Sequence, residues 1–217
     1  MKTRNQRYLS SIRRNIGSIY RKTYKRECLS VQLSFIMEPC IKNMTAVADL
    51  SHMQDLDGIK RLTKPDDFHF QMTYNPDRFR ALIVRLKHPK ATVLVWDSGK
   101  VVCVGTCEEM IARDAFHICA KIIRDAGFKA KVRKFKVHNF VASWDMGARI
   151  KLENFARSNK LNSSYEPELF PGCVYTLEKT KIMIFMSGKV FMTGIKNKSD
   201  IEKIYNHIIP KLKEAVV

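Results

Sequence analysis

Two stretches of the chain carry the same pattern of apolar and polar positions. Val93–Gly105 reads VLVWDSGKVVCVG and Ile182–Gly194 reads IMIFMSGKVFMTG, the second copy starting 89 residues after the first. Each is an apolar run, then Ser-Gly-Lys, then a second apolar run closed by glycine. β-Branched and aromatic runs joined by a tight glycine turn predict a β-hairpin. Alternate strand residues face opposite sides of a sheet, so Val93, Val95, Val101 and Cys103 share one face. Leu94, Trp96, Val102 and Val104 share the other, and Met183, Phe185, Phe191 and Thr193 match them in the second copy. Both faces are largely apolar. Helices can cover one; the other needs a partner.

The same order of elements recurs around each hairpin. In the first half a strand is expected from Asn43 (NMTAVADL), a short helix over about Met53 to Leu62, a loop over 64–74 and a strand from Phe79 to Lys87. After Gly105, Thr106-x-x-Glu109 reads as a capping box opening a helix. Ile111, Ala115, Ile118 and Ile122 form its apolar stripe, and Gly127 ends it. This helix would cover the Val93 and Val95 face. In the second half Asn139 opens NFVASWDM, which matches the first strand as Asn-x-x-Ala-x-x-Asp. Ile150-Lys151-Leu152 falls where a first helix belongs, and Cys173 to Lys179 reads as a strand. The last helix has Asn197 or Ser199 as its cap and Ile201, Ile204, Tyr205, Ile208 and Leu212 as its stripe. Two copies of strand–helix–strand–hairpin–helix imply two similar half-domains joined in one antiparallel sheet, with helices on one side and an open apolar face on the other.

Charge adds a second constraint. The 217 residues carry 39 Lys+Arg against 21 Asp+Glu, a net charge of +18. Such a surplus favours a polyanionic partner, nucleic acid or a membrane surface. No apolar run approaches the roughly 20 residues of a membrane span, so nucleic acid leads. Residues 1–27 hold nine Lys/Arg and one acid, Glu27. This arm reads as a nuclear-localisation cluster (Arg21, Lys22, Lys25, Arg26), a DNA-contacting arm, a mitochondrial presequence or a solvated tail. The six cysteines form no Cys-x-x-Cys pair and none has a histidine at zinc spacing, which favours reduced thiols in an intracellular protein. No cofactor is implied, and the six histidines show no ligand spacing.

An open apolar sheet face with a large aromatic in each half of a basic protein suits the DNA minor groove. There, aromatic wedges enter between base steps and kink the duplex, while Lys100 and Lys189, one in each turn, can reach phosphates. The residues then carry a resemblance. Ser163–Gly172 (SSYEPELFPG), the two Ser-Gly-Lys hairpins, Tyr74-Asn75-Pro76 with Arg78-Phe79, and Asn139 resemble the core of the TATA-box-binding protein family, over roughly Asn43 to the C-terminus.

The resemblance implies an α+β saddle: two pseudo-symmetric half-domains sharing one curved antiparallel sheet, with helices on the convex side. Residues 1–40 would be a basic arm, 41–130 the first repeat and 131–217 the second. It implies a nuclear transcription initiation factor, not an enzyme, that binds AT-rich double-stranded DNA at TATA-like promoter elements, bends it and recruits the initiation complex. Phe79 with Trp96, and Phe170 with Phe185, would be the intercalating pairs. Asn43 and Asn139 would contact the central base pairs with Thr193 beside them, and Thr45 and Val104 would be further DNA-binding positions. Leu94, Val102, Val141, Met183 and Phe191 would line the floor, and Arg78, Arg85, Lys100 and Lys189 would contact the backbone. Glu166, Glu168 and Leu169 would receive a factor like transcription factor IIB. Factors like transcription factor IIA, TATA-binding-protein-associated factors and a second copy of the free chain are further implied partners; a membrane is not.

The sequence departs from the family pattern at several positions. Trp96 replaces a phenylalanine, Val104 stands where a threonine is expected, and Asp77 and Thr176 replace basic residues. Ile118 and Asp125 stand where the family has lysines. These departures support an alternative within the fold, a related factor with relaxed or no TATA preference that acts mainly through protein partners. Two other classes fit less well. A glycosylase-like enzyme would need a catalytic constellation, and the sequence offers none. A single-strand binder would also use aromatics on a basic sheet, without requiring a kinkable duplex.

Overall fold

The alternation in NMTAVADL becomes a strand with two unlike faces. In β1 (Cys40–Leu50), Met44, Ala46, Ala48 and Leu50 are buried, while Asn43, Thr45, Val47 and Asp49 between them stay half-exposed. The computed structural model of the chain describes residues 38–51, 54–63 and 69–217, all within one compact unit, Ile36–Val217. Residues 1–37 of the expected arm and Met53 lie outside the described residues, and Cys40, at the arm's expected end, already begins β1.

Chain order places α1 (Leu56–Leu62), β2 (Phe70–Asn75), β3 (Phe79–Leu86), β4 (Ala91–Val95), β5 (Lys100–Thr106) and α2 (Glu109–Asp125) after β1. The second half repeats this with β6 (Val132–Asp145), α3 (Leu152–Ser158), β7 (Ser163–Ser164), β8 (Gly172–Leu177), β9 (Thr180–Phe185), β10 (Lys189–Ile195) and α4 (Lys198–Lys213). The described strands form one ten-stranded sheet in the order β2-β3-β4-β5-β1-β6-β10-β9-β8-β7. That order is a palindrome of the repeat. β1 and β6 pair antiparallel at its centre, and each hairpin lies next to its own repeat's first strand.

The four helices among the described residues pack on the same face. Phe116 and Ile123 of α2 join Val93, Val95, Val101 and Cys103 in the core, as expected for the cover of the first hairpin. Phe155 of α3 meets Tyr175 of β8 edge-on at 5.9 Å, and Tyr205 of α4 meets Trp144 of β6 at 5.2 Å. Asp55 caps α1, its carboxylate accepting from the Gly58 N–H at 2.9 Å.

Several local expectations are corrected. The segment expected as a loop over 64–74 contains edge strand β2, whose Phe70, Met72 and Tyr74 alternate with exposed residues; 64–68 lies outside the described residues. Strand β6 begins at Val132, seven residues before Asn139, because it runs the length of β1. Thr106 forms no capping box. It is still held in β5 opposite Met44, and its hydroxyl accepts from the Glu108 N–H at 3.3 Å while Glu108 caps the helix with its backbone alone. The buried stripe of α2 is Ala112, Ala115, Phe116, Cys119, Ala120 and Ile123; of the expected set only Ala115 is fully buried. Small side chains let this helix lie close to the sheet, and Ile118 and Ile122 flank the contact. The other end behaves as expected. Gly127, at φ 93°, donates to Arg124 O at 2.9 Å, and Phe128 donates back to Ile123 O at 3.1 Å, closing a Schellman motif.

Five cysteines fall among the described residues and all are free thiols. Burial raises Cys103 and Cys119 to about 12 and Cys173 to about 11. The reactive species is the thiolate, and at pH 8 a thiol with a pKa of about 12 is ionised to only about one part in 10⁴. Brief alkylation of the native chain at pH 8, read by peptide mass spectrometry, is therefore expected to modify exposed Cys40 and spare Cys103, Cys119 and Cys173. Equal labelling of all five would contradict this core.

Candidate nucleic-acid interface

The face opposite the helices is built by the hairpins' alternation. Each turn is set by a glycine in the left-handed region, Gly99 at φ 81° and Gly188 at φ 91°. The Gly99 N–H bonds to Trp96 O at 3.0 Å and the Gly188 N–H to Phe185 O at 2.9 Å. The turn geometry therefore puts an aromatic at the end of one strand, Lys100 or Lys189 at the start of the next, and both lysines in solvent. Inward from the turns, Leu94 pairs with Val102, and Met183 with Phe191. These four side chains are half-exposed, as are Val104 and Val141.

The aromatic pairs come together from separate elements. Phe79, at the start of β3, stands edge-to-face with Trp96, their centroids 6.2 Å apart. Phe170 and Phe185 do the same at 5.7 Å. Phe170 is held by a tight turn in which its N–H and that of Leu169 both donate to Glu166 O at 2.9 Å. Gly172 makes room for this pair: a Cβ there would meet the Phe170 ring at 2.8 Å and the Phe185 ring at 3.2 Å. Phe79 and Phe170 are 44% and 36% exposed, high for unpartnered aromatics in a well-packed chain.

At the centre of the sheet each repeat places an asparagine on a glycine bulge. Asn43 Oδ1 accepts from the Gly105 N–H at 2.9 Å, and Asn139 Oδ1 accepts from the Gly194 N–H at 2.8 Å. Both glycines sit in the left-handed region, at φ 84° and 88°. Asn139 Nδ2 also donates to Thr193 Oγ1 at 3.0 Å. Across the β1–β6 seam Thr45 lies opposite Asn139, and Val141 opposite Asn43.

The remaining sequence-nominated residues frame this surface. Arg78 is exposed in the β2–β3 turn beside Asp77, and Arg85 is exposed on β3 opposite Thr92. Glu166, Glu168 and Leu169 lie together in the exposed loop after β7, with Leu169 81% exposed. Sequence reasoning missed other residues of the open face. Val47, Thr92 and Val174 share it through pairings with Val102, Val104 and Met183. Lys136 joins them opposite Val47, because irregularities in β6 shift the alternation. Alternation would have found Val47, Thr92 and Val174; the register shifts leave no signal for Lys136.

Comparison with known proteins identifies the fold and family. The family described as transcription factor TFIID (or TATA-binding protein, TBP) matches residues 38–126 and 134–215, one stretch for each repeat. The chain is 39% identical over 178 residues to TATA-box-binding protein 1 of Arabidopsis thaliana, covering 81% of this chain and 86% of that one. It is 38% identical over 177 residues to TATA box-binding protein-like 2 of Danio rerio, covering 81% of this chain and 55% of that protein. The solved structure of Methanococcus jannaschii TBP superposes with a TM-score of 0.68 at 32% identity, over 82% of this chain and all of that one. The repeated half-domain, the single ten-stranded sheet and these matches together establish that the chain belongs to the TATA-binding protein family, a family of DNA-binding transcription factors of saddle fold that act in transcription initiation and are not enzymes.

Proposed function

We propose that this chain is a nuclear transcription initiation factor that binds the minor groove of TATA-like promoter DNA and kinks it. One observation carries the reading: two edge-to-face aromatic pairs, Phe79 with Trp96 and Phe170 with Phe185, stand at equivalent places in the two repeats on one half-exposed apolar face. Residues 41–130 and 131–217 act as the two half-sites and 1–40 as a basic arm. Each pair enters a base step, at a cost of a few kcal/mol of unstacking that the covered surface offsets. The apolar floor of Leu94, Val102, Val141, Met183 and Phe191 then lies against the opened groove. Arg78, Arg85, Lys100 and Lys189 meet phosphates, which set affinity and its salt dependence rather than sequence. Asn43, Thr45, Asn139 and Thr193 contact the central base pairs beside Val104. The exposed Glu166–Leu169 loop receives a factor like transcription factor IIB, and outer surfaces receive factors like transcription factor IIA and TATA-binding-protein-associated factors.

A second reading is favoured by Val104, which puts a methyl surface beside Asn43 where Thr193 puts a hydroxyl beside Asn139. It is a family member of relaxed TATA preference that depends more on protein partners. Fluorescence energy transfer between duplex ends, for a TATA element, an AT-rich scramble and a GC-rich control across a salt series, separates the two. Tight binding and a sharp bend on the TATA duplex alone support the first reading. Bending of both AT-rich duplexes supports the second. Weak, unbent, salt-sensitive binding to all three excludes wedge insertion.

A further inference from the structure

The centre of the open face is not symmetric in its hydrogen-bonding chemistry, and the asymmetry lies where the pseudo-dyad would otherwise make the two halves equivalent. Both central asparagines are oriented alike. Each uses Oδ1 to accept from a bulge glycine N–H, at 2.9 Å for Asn43 and 2.8 Å for Asn139, so each presents Nδ2, a donor, to the face. Their neighbours differ. Asn139 has Thr193 at 3.0 Å and Thr45 directly across the seam; Asn43 has Val141 across the seam and Val104 in the place of Thr193. Directly opposed residues of an antiparallel pair share a face. Thr45 and Val141 each lie beside both asparagines, one across the seam and the other two residues along the same strand face, so the two sides differ in Val104 against Thr193.

The minor groove shows only acceptors at A·T and T·A pairs, whereas a G·C pair adds the guanine N2 amine, a donor. On its β5 flank Asn43 offers only its own donor beside the Val104 methyl groups, so an N2 amine placed there faces a like donor and goes unpaired. On the Asn139 side Thr193 Oγ1 has one lone pair in use and another free, and its proton can rotate away. The Thr45 hydroxyl, which neighbours both asparagines, does not distinguish the two sides. Building on the minor-groove reading above, we propose that the Asn139–Thr193 flank tolerates a minor-groove amine next to the centre of the site while the Asn43–Val104 flank rejects it. A single such amine then fixes which way round the protein docks.

The test uses 2,6-diaminopurine, which pairs with thymine as adenine does but adds the N2 amine. A palindromic AT-rich site closed at one end by a hairpin loop is made as a single strand with one 2,6-diaminopurine·thymine pair immediately to one side of its centre, and a donor fluorophore is placed at the open end or in the loop in turn. The full chain carries an acceptor on a click-labelled non-natural residue replacing Lys90, which is exposed in the β3–β4 turn of the first half. Energy transfer is expected to show the first half docked away from the modified side with a bias of roughly tenfold, within the range for discriminating one base. The unmodified duplex should show no bias. Thr193→Val should erase the bias, as should Val104→Thr; the two changes together should reverse it. These swaps are nearly isosteric, and binding of the unmodified duplex checks each variant. A bent complex of the parent chain with equal orientations, or a bias unmoved by either single variant, overturns this inference and leaves the minor-groove reading intact. Failure of the parent chain to bind or bend the unmodified duplex overturns both.

Discussion

Phe170→Ala combined with Phe185→Ala is expected to leave a TATA duplex straight and to weaken binding by about 100-fold or more, a loss of the size seen when central aromatic anchors are truncated. The two rings form one unit, 5.7 Å apart and edge-to-face over the space left by Gly172, so removing both takes away one whole wedge. Without a group to fill the opened step, unstacking has nothing to offset it. The phosphate contacts should survive, because Lys100 and Lys189 sit in turns set by Gly99 and Gly188 rather than by the rings. The slope of log affinity against log salt should therefore stay close to that of the parent chain while the intercept drops. Lys100→Ala with Lys189→Ala should do the converse, flattening the slope by roughly two units and preserving the bend. Gel mobility or end-to-end energy transfer reads the bend, and a salt titration reads the slope. If the phenylalanine variant bends DNA like the parent, the aromatic pairs are not wedges. Phe170 is 36% exposed and Gly172 already opens the site, so the fold should tolerate its truncation.

How much of this was legible beforehand follows from the range of each interaction. The hairpins, the faces of Leu94 and Met183 and the equivalence of the halves depend on local turn chemistry and a period of two, and they read directly from the sequence. The stripe of α2 misread because hydrophobicity was used where packing distance decides. Ala112, Cys119 and Ala120 share the sheet-facing side with Ala115, Phe116 and Ile123, where small residues set a close approach, while Ile118 and Ile122 lie at its flanks. Thr106 misread as a cap because a Thr-x-x-Glu pattern does not show that the threonine is still engaged in a strand. The aromatic pairs were nominated by resemblance; nothing local brings Phe79 to Trp96. The asparagine–glycine bonds join residues 62 and 55 positions apart. They require sheet register and two bulges that no local pattern specifies, and so does the opposition of Thr45 to Asn139.

Gly194→Ala is expected to destabilise the fold by about 3–4 kcal/mol, whereas Gly105→Ala at the equivalent place in the first repeat should cost only about 1–2 kcal/mol. The two glycines have nearly the same backbone, φ 88° and 84°, so both substitutions bear the penalty of a side chain in the left-handed region. They differ in surroundings. A Cβ on Gly194 would lie 2.5 Å from the Lys179 carbonyl oxygen and 3.3 Å from the Thr180 Cα, both backbone atoms in the tight β8–β9 turn; a Cβ on Gly105 meets nothing within 4 Å. Relief at Gly194 therefore requires moving a strand connection, while relief at Gly105 requires only local adjustment. For a chain of this length each kcal/mol shifts the melting temperature by roughly 2–4 °C, so the first variant should melt roughly 6–16 °C below the parent and the second a few degrees below. Any backbone shift at position 194 also moves the N–H that orients Asn139, 2.8 Å away, and with it the bond to Thr193. Gly194→Ala should therefore blunt discrimination at the centre of the DNA site even at temperatures where the chain stays folded. Equal melting temperatures for the two variants would mean that the β8–β9 turn yields freely and that the close contact at Gly194 does not set the cost.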